Sequence, residues 1–341
     1  DIHWGYGAPI GGVGAFDIEG GVIVPGFVGY DINCGVRLIR SNLTIDDIKD
    51  NLSTLINALF SNIPSGVGST GKLKLNKKEI EKIVFEGAKW AVKNGYGIED
   101  DIENIEEYGC MEGADTSGIS ERAYERGLPQ SGTLGSGNHF LEVDVVEEIY
   151  DEKVAEVFGL FKGQIVILIH TGSRGLGYQI CDDYLKLLVQ SEKKFGFKLP
   201  DKQLACAPIK SQEGQDYLSA MRCAANFAWN NRQIIMHLAK KSFKETFSIS
   251  DSELGFQLIY DVCHNIAKIE EHVIIDKNGK EKTKKVCVHR KGATRAYPAG
   301  SLLIPEKYRS VGQPVLIPGD MGRYSFIAVG KEKSMEETFG S

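Results

Sequence analysis

Apolar and polar positions change their period several times along the chain, and the changes divide it into elements. GVRLIR at 35–40 alternates with a period of two, which predicts a strand. QIVILIH at 164–170 is a continuous apolar run of strand length, and FQLIYDV at 256–262 is another, so both predict buried strands. Helical spacing takes over elsewhere. Thr44 with Asp47 three residues on has the form of a capping box and heads one amphipathic helix, while 77–95 reads as a second, closed by Gly95. Ser120 caps a short helix over 120–127, and 217–243 predicts one long, largely buried helix. HVIID at 272–276 and KKVCVHR at 284–290 flank Asn278-Gly279 and predict a hairpin; two more strands surround the Gly turn in 315–329. The polar stretch 61–75 reads as a surface loop and a candidate substrate contact.

No repeat or linker interrupts this order, so the expected architecture is a single α+β domain over 1–341. Mixed β-sheets at its centre would carry the active site at strand ends, with helices outside. Both termini read as cut: the chain opens at Asp1 within glycine-dense sequence and stops at Ser341, as if N-terminal and C-terminal segments were missing.

Composition narrows the setting. A net charge of −6 excludes a surface that is basic throughout, so nucleic acid would have to meet a local patch. HRKGATRAYPAG at 289–300, with His289, Arg290, Lys291 and Arg295, is the candidate. Seven cysteines without a CxxC pair form no disulfide framework, which points to a reducing cytoplasm. No signal peptide and no apolar run long enough to span a membrane is visible.

Candidate chemistry gathers where strands meet loops. Asp31 and Cys34 lie in GYDINCG, His139 in GSGNHFLEV, His170 in ILIHTGSRG and His264 in IYDVCHNIA. Alone, the first pair would read as a buried cysteine beside a turn-capping aspartate. With three imidazoles in comparable settings, the five suit first-row divalent ions, and a thiolate such as that of Cys34 can bridge two of them. Glycines 135 and 137 with Asn138 could meet phosphate oxygens, while Phe140 and Glu142 offer a base a stacking face and an acceptor. Arg174, behind His170, is the candidate bidentate phosphate partner. PGDMGRYS at 318–325 offers Asp320, Ser325 and backbone amides to a purine or ribose. His237 and His272 read as structural or surface residues.

These stretches, with DxHxGYGxPIGG, HTGSRGLG, AANFAWxNR, DVxHNIAK, HRKGATRA and IPGxMG, resemble the RtcB family of RNA-splicing ligases along the whole chain. The resemblance implies a GTP- and manganese-dependent enzyme of tRNA splicing or RNA repair. It would join an RNA 3'-phosphate or 2',3'-cyclic phosphate end to a 5'-hydroxyl end through a guanylylated histidine. It also implies two Mn²⁺, one held by Asp31, Cys34 and His139, the other by Cys34, His170 and His264. GMP would lie against Asn138, His139, Phe140, Leu141 and Glu142, against His264 and Asn265, and against Pro318, Gly319, Asp320, Met321 and Ser325. The partner would be RNA, with an archease-type activator possible and no membrane. Asp320 stands where the family usually has serine, and Tyr178 where it often has histidine. By motif, the nucleophilic histidine falls after Ser341 and is not His289, so a chain ending there would not be guanylylated. Two other readings of the ligands stay open: a dinuclear metal phosphoesterase and a noncatalytic RNA-binding fragment.

Overall fold

The computed structural model describes residues 7–196, 198–275, 278–320 and 322–341. Its strands are β1 (Gly12–Asp17), β2 (Val22–Ile23), β3 (Gly35–Thr44), β4 (Phe140–Val145), β5 (Gln164–Thr171), β6 (Ala207–Pro208), β7 (Gln257–Cys263), β8 (Asn265–Ile275), β9 (Glu281–Lys291), β10 (Pro314–Ile317) and β11 (Phe326–Val329). They form a central sheet of order β4-β5-β3-β7, a second of order β1-β9-β8, and two small ribbons, β2-β6 and β10-β11. The α+β class is as expected. The pairing is more uniform than the mixed sheets anticipated: every ladder between these strands is antiparallel, and parallel pairing is confined to isolated bridges.

β5 has no polar alternation because both of its faces are covered. Ile165, Ile167 and Ile169 pack toward the helices, whereas Val166 and Leu168 pack with Val36, Leu38, Tyr260, Tyr308 and Leu316 on the opposite face. The larger helices therefore cover one side of the central sheet, and the segment 297–311 with the β10-β11 ribbon and Phe158 covers the other. Antiparallel order brings the starts of β3 and β4 to the same end as the finishes of β5 and β7, with Gly35 opposite both Thr171 and Cys263. That end carries the ligand motifs.

The helix Gln212–Phe247 runs for 36 residues beneath the sheet, about 54 Å at 1.5 Å per residue. Its central stretch buries Asn226, Asn230, Asn231, Arg232 and Gln233 as well as apolar side chains. The helix expected over 77–95 is broken in two, Lys77–Glu86 and Ala88–Lys93. Gly87 turns the chain between them at φ 58°, and a Cβ there would meet the Gly109 carbonyl at 2.0 Å, so only glycine fits. The expected hairpin forms, with Ile275 opposite Glu281 around Asn278-Gly279. No helix among the described residues is long and apolar enough to cross a membrane.

HRKGATRA is not the exposed basic patch its composition suggested. His289, Arg290, Lys291 and Arg295 are all buried. Arg290 makes a two-pronged ion pair with Glu270 at 2.6 and 2.9 Å, Arg295 reaches Glu107 at 3.1 Å, and Lys291 Nζ donates to the Gly26 carbonyl at 2.8 Å. Buried charges persist only when matched, and here Glu270 of the second sheet, Glu107 and the Gly26 carbonyl match them internally. His272 likewise lies inside, 2.9 Å from Glu270.

Candidate metal centre

All five candidate ligands converge at the shared end of the central sheet. Cys34 Sγ lies 3.3 Å from His139 Nε2 and 3.3 Å from His170 Nε2; His170 Nε2 is 3.2 Å from His264 Nε2, and His139 Nε2 is 2.8 Å from Asp31 Oδ2. They divide into two sets, Asp31–Cys34–His139 and Cys34–His170–His264, with Cys34 in both. Donor atoms around a tetrahedral ion with bonds of about 2.1 Å sit about 3.4 Å apart, so these spacings fit a cation within each set. The donor set, one carboxylate, one thiol and three imidazoles, suits a divalent first-row ion.

Electrostatics point the same way. Burial, then the neighbouring His264 and His139 rings, push His170 well below the ordinary imidazole value; burial and Arg232 push His264 down to about 4. Both rings are neutral at pH 7 and keep a lone pair for a metal. Burial alone would raise Asp31, but the His139 ring and Arg174 hold its carboxyl below the usual range. Burial and Asp31 push the Cys34 thiol well up, so the thiolate that a metal takes has to form with the cation.

Neighbouring groups aim the ligands. His139 Nδ1 lies 3.1 Å from the Leu134 carbonyl, which also accepts from Thr171 Oγ1 at 2.6 Å, and the ring turns its Nε2 toward Asp31 and Cys34. Cys34 closes a turn by donating its N–H to the Asp31 carbonyl at 2.9 Å, with Asn33 inside the turn at φ 52°. The His264 N–H donates to the Cys34 carbonyl at 2.8 Å. Below His264, Glu106 accepts from the Cys263 N–H at 2.8 Å and pairs with Lys268 at 2.6 Å; burial opposes its charge, but Lys268 and Arg295 hold its carboxyl at about 2.

The long helix supplies what motif spacing alone does not reveal. Arg232 donates to the Asn33 and Thr171 carbonyls, both at 2.8 Å, to Asn33 Oδ1 at 2.9 Å and to Asp261, whose other contact is Arg37. Asn231 accepts from the Gly132 and Thr133 amides and donates to the Gly172 carbonyl. Adjacent residues on one helix thus tie together the turn of Asp31 and Cys34, the segment leading to His139 and the backbone next to His170. AANFAWxNR at 224–232 is quoted above only for its likeness. Its independent signal is a cluster of amides and an arginine in an otherwise apolar helical stretch.

The sequence of this site has clear relatives. The sequence model of the family described as tRNA-splicing ligase RtcB matches residues 1–341. A protein named tRNA-splicing ligase RtcB from Archaeoglobus fulgidus is 57% identical over 341 residues, covering all of this chain and 70% of the relative. Proteins of the same name from Thermococcus kodakarensis and Methanococcus maripaludis are 54% and 55% identical over the same shares. The chain belongs to the RtcB family.

Other residues expected at the RtcB site fall into three groups. Arg174 reaches the ligands, with Nη1 3.1 Å from His139 Nδ1. It passes through the space left by Gly135, where a Cβ would stand 2.1 Å from its guanidinium. Phe140 packs edge-on against His170, Leu141 turns toward the helical core, and Ser325 Oγ approaches Glu142 of β4 at 3.5 Å. Burial raises Glu142, and burial with the Glu142 charge lifts Asp144 on the same face to about 6.

Asn265 is a scaffold residue here: it donates to the Asp31 carbonyl at 3.1 Å and accepts from the Gly292 amide at 3.0 Å. Asn138 and Asp320 are exposed; Asp320 faces Arg323 at 3.6 Å, and the Gly319 amide donates to Ser325 Oγ at 3.1 Å. Pro318 precedes that turn, and Met321 lies outside the described residues.

Proposed function

We propose that the chain is the catalytic core of an RNA ligase that joins 3'-phosphate or 2',3'-cyclic phosphate ends to 5'-hydroxyl ends, using GTP and two Mn²⁺. The observation that carries this reading is the pair of ligand sets sharing Cys34, with Arg174 beside them. Asp31, Cys34 and His139 would hold one ion, and Cys34, His170 and His264 the other. Bound there, the ions supply neutralisation of phosphate charge and polarisation of phosphoryl oxygens.

The protein groups position the rest. Arg174 presents a planar fork of donors to a phosphate, a geometry that suits bidentate recognition. Phe140 and Glu142, the latter meeting Ser325 Oγ at 3.5 Å, offer guanine an apolar face and a carboxylate. His139, His170 and His264 are committed to the ions, so the guanylyl acceptor in this reading is a different histidine. The names of the relatives support RNA splicing as the setting.

The test is to supply Mn²⁺, GTP and a pair of RNA ends, and to resolve the products on a gel. A joined product whose formation requires GTP supports ligation. Phosphate released from a cyclic end without GTP and without joining favours the dinuclear phosphoesterase, which the same ligands could serve.

A further inference from the structure

The cations of HRKGATRA are paired inside the fold, so an acidic protein that meets RNA needs its basic surface elsewhere. Residues 61–78 hold four lysines and no carboxylate in a chain of net charge −6. Lys72, Lys74, Lys77 and Lys78 are all exposed. Leu73 and Leu75 pack against the core and leave Lys72 and Lys74 outside. Lys77 is taken by Glu121 and lies over the Tyr124 ring. Lys72 Nζ donates to the side-chain oxygen of Asn62 at 2.9 Å, an amide whose nitrogen faces Glu245 at 3.4 Å. Among the described residues no carboxylate pairs with Lys72, Lys74 or Lys78.

The same stretch is fastened beside the ligands at both of its ends. The Leu134 N–H donates to the Pro64 carbonyl at 2.9 Å and the Gly66 N–H to the Gly135 carbonyl at 2.7 Å, with Ser65 and Gly135 in a parallel bridge. Leu134 is the residue whose carbonyl meets His139 Nδ1, and Gly135 the one whose missing Cβ leaves room for Arg174. Further on, the Gly71 N–H donates to the Pro129 carbonyl at 2.7 Å, and the next residue, Gln130, accepts from the Gly175 amide directly after Arg174, also at 2.7 Å. A Cβ on Gly71 would stand 2.1 Å from the Ser131 carbonyl, so this approach needs glycine. Between the fastenings the chain arches into solvent, with Val67 92% exposed.

Unmatched lysines beside a phosphate-binding arginine form a track on which a polyanion can lie, because backbone phosphates meet cations without regard to sequence. We propose that residues 64–74 carry the phosphate backbone of an RNA strand whose end is held at the metal centre, with Lys72 and Lys74 on phosphates inward of the one at Arg174. The inference rests on the RNA-ligase reading and adds where the strand runs.

The test uses the intact protein with Mn²⁺ and a labelled single-stranded RNA ending in a 3'-phosphate, with affinity read by fluorescence anisotropy across a salt series. Two phosphate contacts at about 0.7 each in the salt slope predict that Lys72→Gln with Lys74→Gln lowers the slope by about 1.4 and weakens binding about 25-fold at about 0.1 M salt. The loss should be equal for RNAs of different sequence. On the same scale Val67→Lys should strengthen binding and Val67→Glu weaken it, each about fivefold, opposite shifts that a folding defect cannot produce. Bound Mn²⁺, GTP affinity and thermal midpoint should stay near the native values. If the native protein binds and joins RNA while the lysine and Val67 variants keep its affinity and salt slope, or if GTP affinity falls in place of RNA affinity, the track is wrong and the ligase reading stands. If the native protein binds no RNA, the ligase reading fails and the track with it.

Discussion

The Arg232 guanidinium and the Asp261 carboxylate meet in two hydrogen bonds, Nη2 to Oδ1 at 2.8 Å and Nε to Oδ2 at 2.9 Å, with both side chains fully buried. Arg37 adds a third bond to Asp261 at 2.7 Å. Removing one partner strands a charge out of water. Asp261→Ala is therefore expected to cost about 3–5 kcal/mol, read by urea denaturation of the metal-free protein. Arg232→Met with Asp261→Asn removes both charges of that pair and should cost less than the single change. A double variant as damaged as the single one would show that packing or the Arg37 charge, and not the Arg232 charge, sets the loss.

Sharing Cys34 between two ligand sets makes it the one side chain whose loss weakens both. Cys34→Ala should lower bound Mn²⁺ well below that of His264→Ala, which touches one set only. Metal analysis after gel filtration reads the stoichiometry. Equal content in the two variants would rule out bridging.

Gly135 has φ +100°, and its missing Cβ leaves the passage for Arg174. Gly135→Ala should push the guanidinium aside, weakening affinity for an RNA 3'-phosphate by roughly tenfold, the scale of one charged hydrogen bond. Bound metal should stay near the native amount. Loss of metal together with RNA would mean that the His139 loop had moved, and not Arg174 alone.

Burial holds the His289 imidazole down to about 4, where its Nε2 accepts the Val24 N–H at 3.1 Å. As pH falls below about 6.5 the unfolded chain takes up a proton that the folded one refuses until about pH 4. Stability from this residue is thus complete above pH 6.5 and lost as pH falls through that window, by about 2 kcal/mol at pH 5. Denaturation at pH 7 and pH 5 measures it, and His289→Gln should shrink the difference between the two. An unchanged difference would assign the acid loss to other groups.

Much of the site was legible because strand ends and glycine-rich turns have local signatures. QIVILIH announces its strand by unbroken apolar content, and the residue that ends it is His170. The opposite failure has a physical reason as well. His289, Arg290, Lys291 and Arg295 look like a solvated run because their matches lie on other elements, Glu270 across the hairpin on β8 and Glu107 in a segment well before it. Sequence proximity groups the cations; only folding brings the carboxylates to them.

Sequence by itself singled out the five candidate ligands, the order of the main strands and helices, and the family. The tertiary structure decided which atoms face one another: it placed Cys34 between His139 and His170, and it buried Arg232 against Asp261 and the Asn33 turn. Hydrophobic period is a local property of a few residues, set by which side of an element faces water. Charge pairing and ligand convergence depend on distances between segments more than two hundred positions apart, and antiparallel closure of one sheet end sets those distances.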